Sequence, residues 1–353
     1  MSRVSENYRI VDSKEETMRG FIYQDNRLVC KTFPYSDELT IEDGEEIKSR
    51  LSEGEWKFFP SYEGTILRIV NDGDNQLICT HKKLDAFNSR WGSEQSFGDL
   101  FKTSIVEFNK QENAFENFLS TLKDDKHHTF LVCSNLDSRI VANRDNEIFY
   151  VGSFDAQTQK YLGVLENISN KISHFCKSIQ SLDIKFSQEN KEEVYEQIRL
   201  YVENKVEPFS QQGLVAIRQD DLSVFKVLNS VYKNLSELRG NNPSLPTRYL
   251  ELLLKRKDLV LDFCTVFSNK HHEFGYISEL LDDTTGYLLN VILTRYLRKR
   301  FMHVSPVLHS FVKQYENMED LSALTFDKIY EKLSEKDTNY VWNLMQSYLE
   351  TCI

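Results

Sequence analysis

The sequence predicts an α+β protein, with an antiparallel β-core domain over residues 1–240 and an all-helical domain over residues 241–353. Three observations carry that expectation. Short apolar runs broken by Gly, Asp and Asn fill the stretch from Tyr8 to Cys79, the pattern of half-buried strands. Glu189 to Lys205 is an amphipathic helix with Val194, Ile198 and Val202 on one face. After Asn241-Asn242-Pro243-Ser244-Leu245-Pro246 the text becomes helical to Ile353, which places the domain boundary near residue 240.

Within the first domain, Gly20-Phe21-Ile22-Tyr23 and Arg27-Leu28-Val29-Cys30 read as strands, and Ile41 to Leu51 is an acidic short helix or excursion. Thr65 to Val70 and Gln76 to Thr80 form two strands joined by a turn at Asn71-Asp72-Gly73-Asp74-Asn75. Phe97, Leu100, Phe101, Ile105, Phe108, Phe115, Phe118, Leu119 and Leu122 carry helical spacing, so Ser96 to Leu122 is expected as a helical crossover. Strands return at Thr129 to Cys133, Arg139 to Ala142 and Glu147 to Phe154, followed by a helix-rich piece from Tyr161 to Ile179. Gly213 to Ile217 and Ser223 to Val227 form a last hairpin around Gln219-Asp220-Asp221. In the second domain, Thr247 to Phe267 and Tyr287 to Phe301 are the expected helices.

At 353 residues the chain is long enough for two domains. A net charge of -11 argues against nucleic acid bound over the whole surface, and leaves room for a local basic groove. Cys30, Cys79, Cys133, Cys176, Cys264 and Cys352 occur singly, without CxxC pairing, and read as reduced core thiols. The opening MSRVSENYRIVDSKEE has no apolar signal region and no long apolar stretch follows, so the expectation is a soluble cytoplasmic or other intracellular protein. His127-His128 and His271-His272 lack ligand-spaced Cys or carboxylate companions, so no structural metal is expected. GxxxxGK[ST], GxGxxG, HExxH and GxSxG do not occur.

The chain is organised around Phe59 to Trp91, where Glu63-Gly64 leads into the two strands and a cationic segment follows them. Glu63-Gly64 is either a ligand-approaching step or a tight turn entering a strand. Arg19-Gly20-Phe21-Ile22-Tyr23, Ser61-Tyr62-Glu63-Gly64-Thr65, Phe130 to Val141, Gln212-Gly213-Leu214-Val215-Ala216 and Phe225-Lys226-Val227-Leu228 occur in that order. Together they resemble the motif set of the phage-type RNA ligases, members of the lysine-dependent nucleotidyltransferases, and their relatives in large DNA viruses. The resemblance runs from about residue 15 to residue 245. It implies an antiparallel β core flanked by helices, with a helical C-terminal domain. It also implies a nucleotide site using Arg19, Glu63, Gly64, Arg139, Gln212 and Lys226, with ATP and Mg2+ as ligands and RNA 5′-phosphate ends as the substrate class.

The chain departs from that pattern at charged positions. Ser61 stands where the family has the lysine that attacks the α-phosphate of ATP, and a serine without a partnered base does not supply that amine. Glu63 replaces an Asp. Gln212 replaces a Glu and loses the charge that holds a divalent metal. Phe130-Leu131-Val132-Cys133 has no carboxylate where the family has a Glu, and Leu228 replaces the second lysine of the closing strand. A rival register reads Lys83-Leu84-Asp85-Ala86 as the nucleophile motif, at the cost of its glycine.

Other candidates have two readings each. Lys82, Lys83 and Arg90, beside His81 and Trp91, are either a phosphate and base contact or a lysine-guarded strand edge. Arg139 either faces the nucleotide or pairs with Asp137, and Lys226 is either a phosphate contact or exposed alternation. Arg295, Arg298, Lys299 and Arg300 on one helix, with Lys255-Arg256-Lys257 on another, form either an RNA groove or solvated faces. The expected function is an RNA-ligase-like protein without adenylyl transfer that binds RNA ends or a nucleotide. The alternatives are a divergent ligase using Lys83, and an assembly subunit whose helical domain takes a protein partner, with no role at a membrane.

Overall fold

The protein is described by a computed structural model covering residues 7–13, 18–92, 94–134, 140, 146–163, 169–187, 189–218 and 220–352. Its contacts divide the chain into two compact units, Met1–Glu237 and Leu238–Ile353.

In the first unit the elements are β1 (Tyr8–Ser13), β2 (Met18–Gln24), β3 (Arg27–Cys30), β4 (Asp37–Thr40), α1 (Gly44–Arg50), β5 (Trp56–Ser61), β6 (Thr65–Asp72) and β7 (Asn75–Cys79). They continue with α2 (Phe97–Asn109), α3 (Ala114–Thr121), β8 (Lys126–Cys133), β9 (Glu147–Asp155), α4 (Asn170–Ser173), β10 (Lys177–Ser178), α5 (Lys191–Asn204), β11 (Gly213–Arg218), β12 (Val224–Leu228) and α6 (Ser230–Arg239). Three sheets result, in the orders β1-β2-β3, β10-β9-β8-β6-β7 and β4-β12-β11-β5. All pairings are antiparallel except β10 on β9 and β4 on β12.

Strand alternation explains how the larger sheets stack. Successive residues of β8 face opposite ways. Phe130 and Val132 join Phe101 and Phe118 of the α2–α3 pair, whereas Leu131 and Cys133 meet Phe59 of β5 and Ile217 of β11. On the far side of the four-stranded sheet, Phe58, Leu214, Phe225 and Val227 pack with Ile47 of α1 and with Val194, Ile198 and Val202 of α5. The outcome is two sheets face to face with helices outside. The three-stranded sheet closes on β6 and β7 through Ile22, Val29, Val70 and Leu77.

Most strands form where alternation places them, and the β6–β7 hairpin turns at Gly73, whose φ of +59° suits glycine. Ser96 to Leu122 is two helices, because Lys110 takes a left-handed φ of 56° and ends α2 before α3 restarts. The helix-rich piece expected from Tyr161 to Ile179 is instead a β-bridge at Tyr161, the four-residue α4 and the edge strand β10. The competing interaction is sheet pairing, in which Lys177 and Ser178 add to β9 and Tyr161 packs on Phe33 and Phe154. The strand expected over 139–142 lies outside the described residues apart from the buried Ile140. Cys30, Cys79, Cys133 and Cys176 are buried as expected, but Cys264 is half-buried and Cys352 exposed.

The second unit contains α7 (Leu245–Lys255), α8 (Val260–Val266), α9 (His271–Ile292), α10 (Pro306–Val312), α11 (Phe326–Ser334) and α12 (Thr338–Thr351). Ser244, Ser305, Thr325 and Asp337 cap α7, α10, α11 and α12 by accepting backbone N–H bonds. Leu250, Phe263, Phe274, Leu288, Phe311 and Leu344 fill its core. The helix expected from Thr247 to Phe267 breaks at Arg256, whose guanidinium bonds Asp258. The one expected from Tyr287 to Phe301 is the end of α9, which widens into a π turn at Leu293–Leu297 and stops at Arg298. No described helix is long and apolar enough to cross a membrane.

Gly64 is demanded by the sheet itself, since a Cβ there would lie 2.5 Å from the Val132 carbonyl oxygen. Gly64→Ala is expected to cost about 1–3 kcal/mol through overpacking and to lower the thermal midpoint by several degrees in a circular dichroism melt. An unchanged melt would show that β6 and β8 do not approach this closely.

Candidate functional site

Three residues that stand far apart in the chain meet at one end of the layer between the two large sheets. Ser61 ends β5, Gln212 precedes β11, and Lys226 sits in β12 on the face opposite Phe225 and Val227. The Gln212 Oε1 accepts from Ser61 Oγ at 3.1 Å and from Lys226 Nζ at 3.3 Å, and its Nε2 donates to the Tyr232 hydroxyl at 2.8 Å. Sheet pairing fixes this placement, with Ser61 opposite Gly213 and the Gln212 N–H on the Ser61 carbonyl at 2.8 Å. Ser61 and Gln212 are buried, whereas the Lys226 side chain keeps 24% of its exposure.

Lys226 is the charged member of this group. Burial holds its pKa below the ordinary lysine value, and the nearby Arg19 charge pushes the same way against Glu38 and Glu63. Glu38, its cross-strand neighbour on β4, lies 3.5 Å away. Arg19 donates to the Pro34 carbonyl at 3.4 Å and stands over the Tyr35 ring, and burial lowers its pKa as well. His81 adds a neutral ring to these surroundings. Burial first, and then the Arg19 charge, lower its pKa to about 4, and its Nδ1 is buried without a hydrogen-bond partner.

Glu63 is buried, and one of its oxygens accepts the Ile140 N–H at 3.3 Å. Gly64 is explained by the approach of Val132. Arg139 and Asp137 lie outside the described residues. The cationic segment is a turn rather than a strand edge, because β7 ends at Cys79 and Thr80 Oγ1 accepts the N–H groups of Lys82 and Lys83. Lys82, Lys83 and Arg90 are exposed there. Asp85, the carboxylate of the rival register, caps the Phe87 N–H at 2.8 Å and binds the Asn88 amide. Arg295 lies in the π turn and Arg298 caps it, while Lys257 stacks over Tyr330 at 4.1 Å.

The donor set does not suit a protein-held Mg2+. Such an ion asks for several free carboxylate or carbonyl oxygens, and here the Gln212 oxygen already accepts two hydrogen bonds while Glu38 and Glu63 are engaged by Lys226 and Ile140. Among the described residues no group of three His, Cys, Asp or Glu could hold a metal. Glu38 and Tyr232 escape a reading of the sequence because their contacts come from strand order and from the fold of α6. The flanking charge of Lys82 and Arg90 draws attention to His81, but its burial has no local signal.

The fold is thus α+β, with a half-buried amine held by an amide between two packed sheets. No protein-family model matches the chain. The chain is similar to the immediate-early protein ICP-46 homolog of Invertebrate iridescent virus 6, 29% identical over 315 residues covering 84% of this chain and 66% of that protein. It is also similar to the homolog from Invertebrate iridescent virus 3, 24% identical over 281 residues covering 78% and 57%. It therefore spans less than two thirds of the length of these curated relatives. Among solved structures it is similar to RNA ligase of Naegleria gruberi. An unliganded mutant matches at a TM-score of 0.41 with 14% identity over 58% of each chain. A mutant with ATP and Mn matches at 0.39, with the same identity and coverage. The expected resemblance to RNA ligases and to relatives in large DNA viruses is met in these comparisons, which at this distance transfer neither a site nor an activity.

The histidines give the first unit an acid-sensitive element. His81 and His127 both have their pKa lowered from 6.5 to about 4, chiefly by burial. Between those values the unfolded chain takes up protons that the folded chain excludes, so stability is full above pH 6.5 and falls as pH drops toward 4. Replacing His127 by Gln is expected to remove roughly half of this histidine-linked slope in urea unfolding followed against pH. Identical slopes in wild type and variant would count against the burial of His127.

Proposed function

We propose that the chain is an RNA-ligase-like protein that has lost lysine-adenylate chemistry and acts by binding a nucleotide or an RNA 5′-phosphate end at the Ser61-Gln212-Lys226 cluster. The observation that carries this reading is the sharing of one Gln212 amide oxygen by the Ser61 hydroxyl and the Lys226 amine. An amide accepts a hydrogen bond but does not take a proton, so Ser61 is not an activated nucleophile. The neutral Gln212 brings no charge to Lys226, whose ion pair with Glu38 at 3.5 Å is weakened by solvent because Glu38 is more than half exposed.

A phosphate group supplies what the cluster lacks. Lys226 and Arg19 lose hydration on burial and the Arg19 charge further depresses Lys226, so an anion bound beside them relieves these costs through charge-assisted hydrogen bonds. Mg2+ enters this reading only as the companion of a bound nucleotide. Arg139 remains a proposed further contact, as do the exposed Lys82, Lys83 and Arg90.

The test is incubation of the purified chain with α-radiolabelled ATP and Mg2+ or Mn2+, followed by a denaturing gel and intact mass. The expected result is no covalent adduct, with reversible binding of ATP or 5′-phosphorylated RNA that Lys226→Ala weakens roughly tenfold or more. An AMP adduct mapped to any lysine overturns the reading. So does binding that is indifferent to Lys226.

A further inference from the structure

We infer that the loop leaving α9, built from Arg298, Lys299, Arg300 and Phe301, is a contact surface for single-stranded nucleic acid. Phe301 is 86% exposed, more than any other large apolar side chain among the described residues. The three cations beside it are exposed too. None of them, nor Arg295, forms an ion pair with Asp or Glu among the described residues, whereas Arg50, Arg199, Arg218, Arg248 and Arg256 each hold a carboxylate. From Ile292 to Tyr315 the sequence has no acidic residue, in a chain whose net charge is -11.

The backbone presents this loop outward. The Arg298 N–H bonds the Leu293 carbonyl at 2.9 Å and the Arg300 N–H bonds the Thr294 carbonyl at 3.0 Å. Lys299 between them takes a left-handed φ of 54°. These bonds close the helix end and carry the chain away from it at Phe301. Cations at a helix C-terminus also complement the helix dipole, which accounts for the charge but leaves the bare ring without a role.

An exposed aromatic ring among unneutralised arginines matches the needs of a single strand. Its phosphates take the charge, and an unpaired base offers a face for stacking, which a duplex conceals. A bilayer would ask for a broad apolar face, whereas beside Phe301 only Leu297 and Val307 are exposed apolar side chains and Val291, Ile292, Leu308, Phe311 and Val312 are buried in the core of the helical unit. The inference concerns that unit alone and does not rest on the Ser61 cluster.

The test uses the full chain and an oligouridylate of about 12 nucleotides, within the usual site size for single strands, carrying a 5′-hydroxyl so that no terminal phosphate is offered to Lys226. Binding is followed by fluorescence anisotropy over a range of salt. Phe301→Ala is expected to weaken binding roughly fivefold or more with the salt slope unchanged. The double variant Arg298→Gln, Arg300→Gln is expected to flatten the slope by about 1.4, at about 0.7 per phosphate contact on a single strand. All four side chains are solvent-facing, and unchanged melting curves check that both variants fold. The proposal is overturned if the wild type does not bind, if Phe301→Ala binds as tightly as wild type, if the double variant keeps the slope, or if a duplex competes as well as the single strand.

Discussion

Gln212 ties together the end of the molecule on which the functional reading depends. Its N–H bonds the Ser61 carbonyl, its own carbonyl accepts the Asn229 N–H, its side-chain oxygen accepts from Ser61 and Lys226, and its side-chain nitrogen donates to Tyr232. One residue thereby joins β5, β12 and α6 around a lysine that burial has made costly to charge. In a buried network each lost partner leaves another polar group unsatisfied. The neutral Gln212 fits this role as a structural tie. A carboxylate there would pair with Lys226 more strongly, and would leave less of the amine's charge for a ligand.

The layering was legible because period-2 alternation follows directly from strand geometry. Phe58 and Phe59, or Phe130 and Leu131, are adjacent apolar residues that fall into different cores, as strand geometry requires, although the apolar run does not say which faces which. The helix α5 was legible for the same reason, since Val194, Ile198 and Val202 repeat at helical spacing. Long-range pairing overrode local pattern elsewhere. Lys177 and Ser178 joined β9 as an edge strand where helix was expected, and Lys110 and Arg256 ended helices inside stretches whose apolar spacing continued.

At the site, the resemblance of the ordered motifs to those of the RNA ligases singled out Ser61, Gln212 and Lys226, which the fold then brings within hydrogen-bond reach of one another. Their surroundings were not legible. Glu38 reaches Lys226 only because β4 lies parallel beside β12, and the partly buried His81 has the Gly20 backbone close against its own. Gly64 carried the opposite lesson. A glycine beside a carboxylate invites a ligand-binding reading, yet the nearest thing to its missing Cβ is the Val132 carbonyl. Charge was also more local than composition suggests, since an acidic chain has no Asp or Glu from Ile292 to Tyr315.

The central claim is that Lys226 is a desolvated amine waiting for an anion, and the most direct measurement is its own titration. Chain labelled with 13C at the lysine ε-carbon would be titrated by NMR with and without ATP, the Lys226 resonance being assigned by its loss in Lys226→Arg. The account expects a pKa below the ordinary 10.5 in the free protein that rises when ATP is added. An unperturbed pKa that ATP does not move would contradict it.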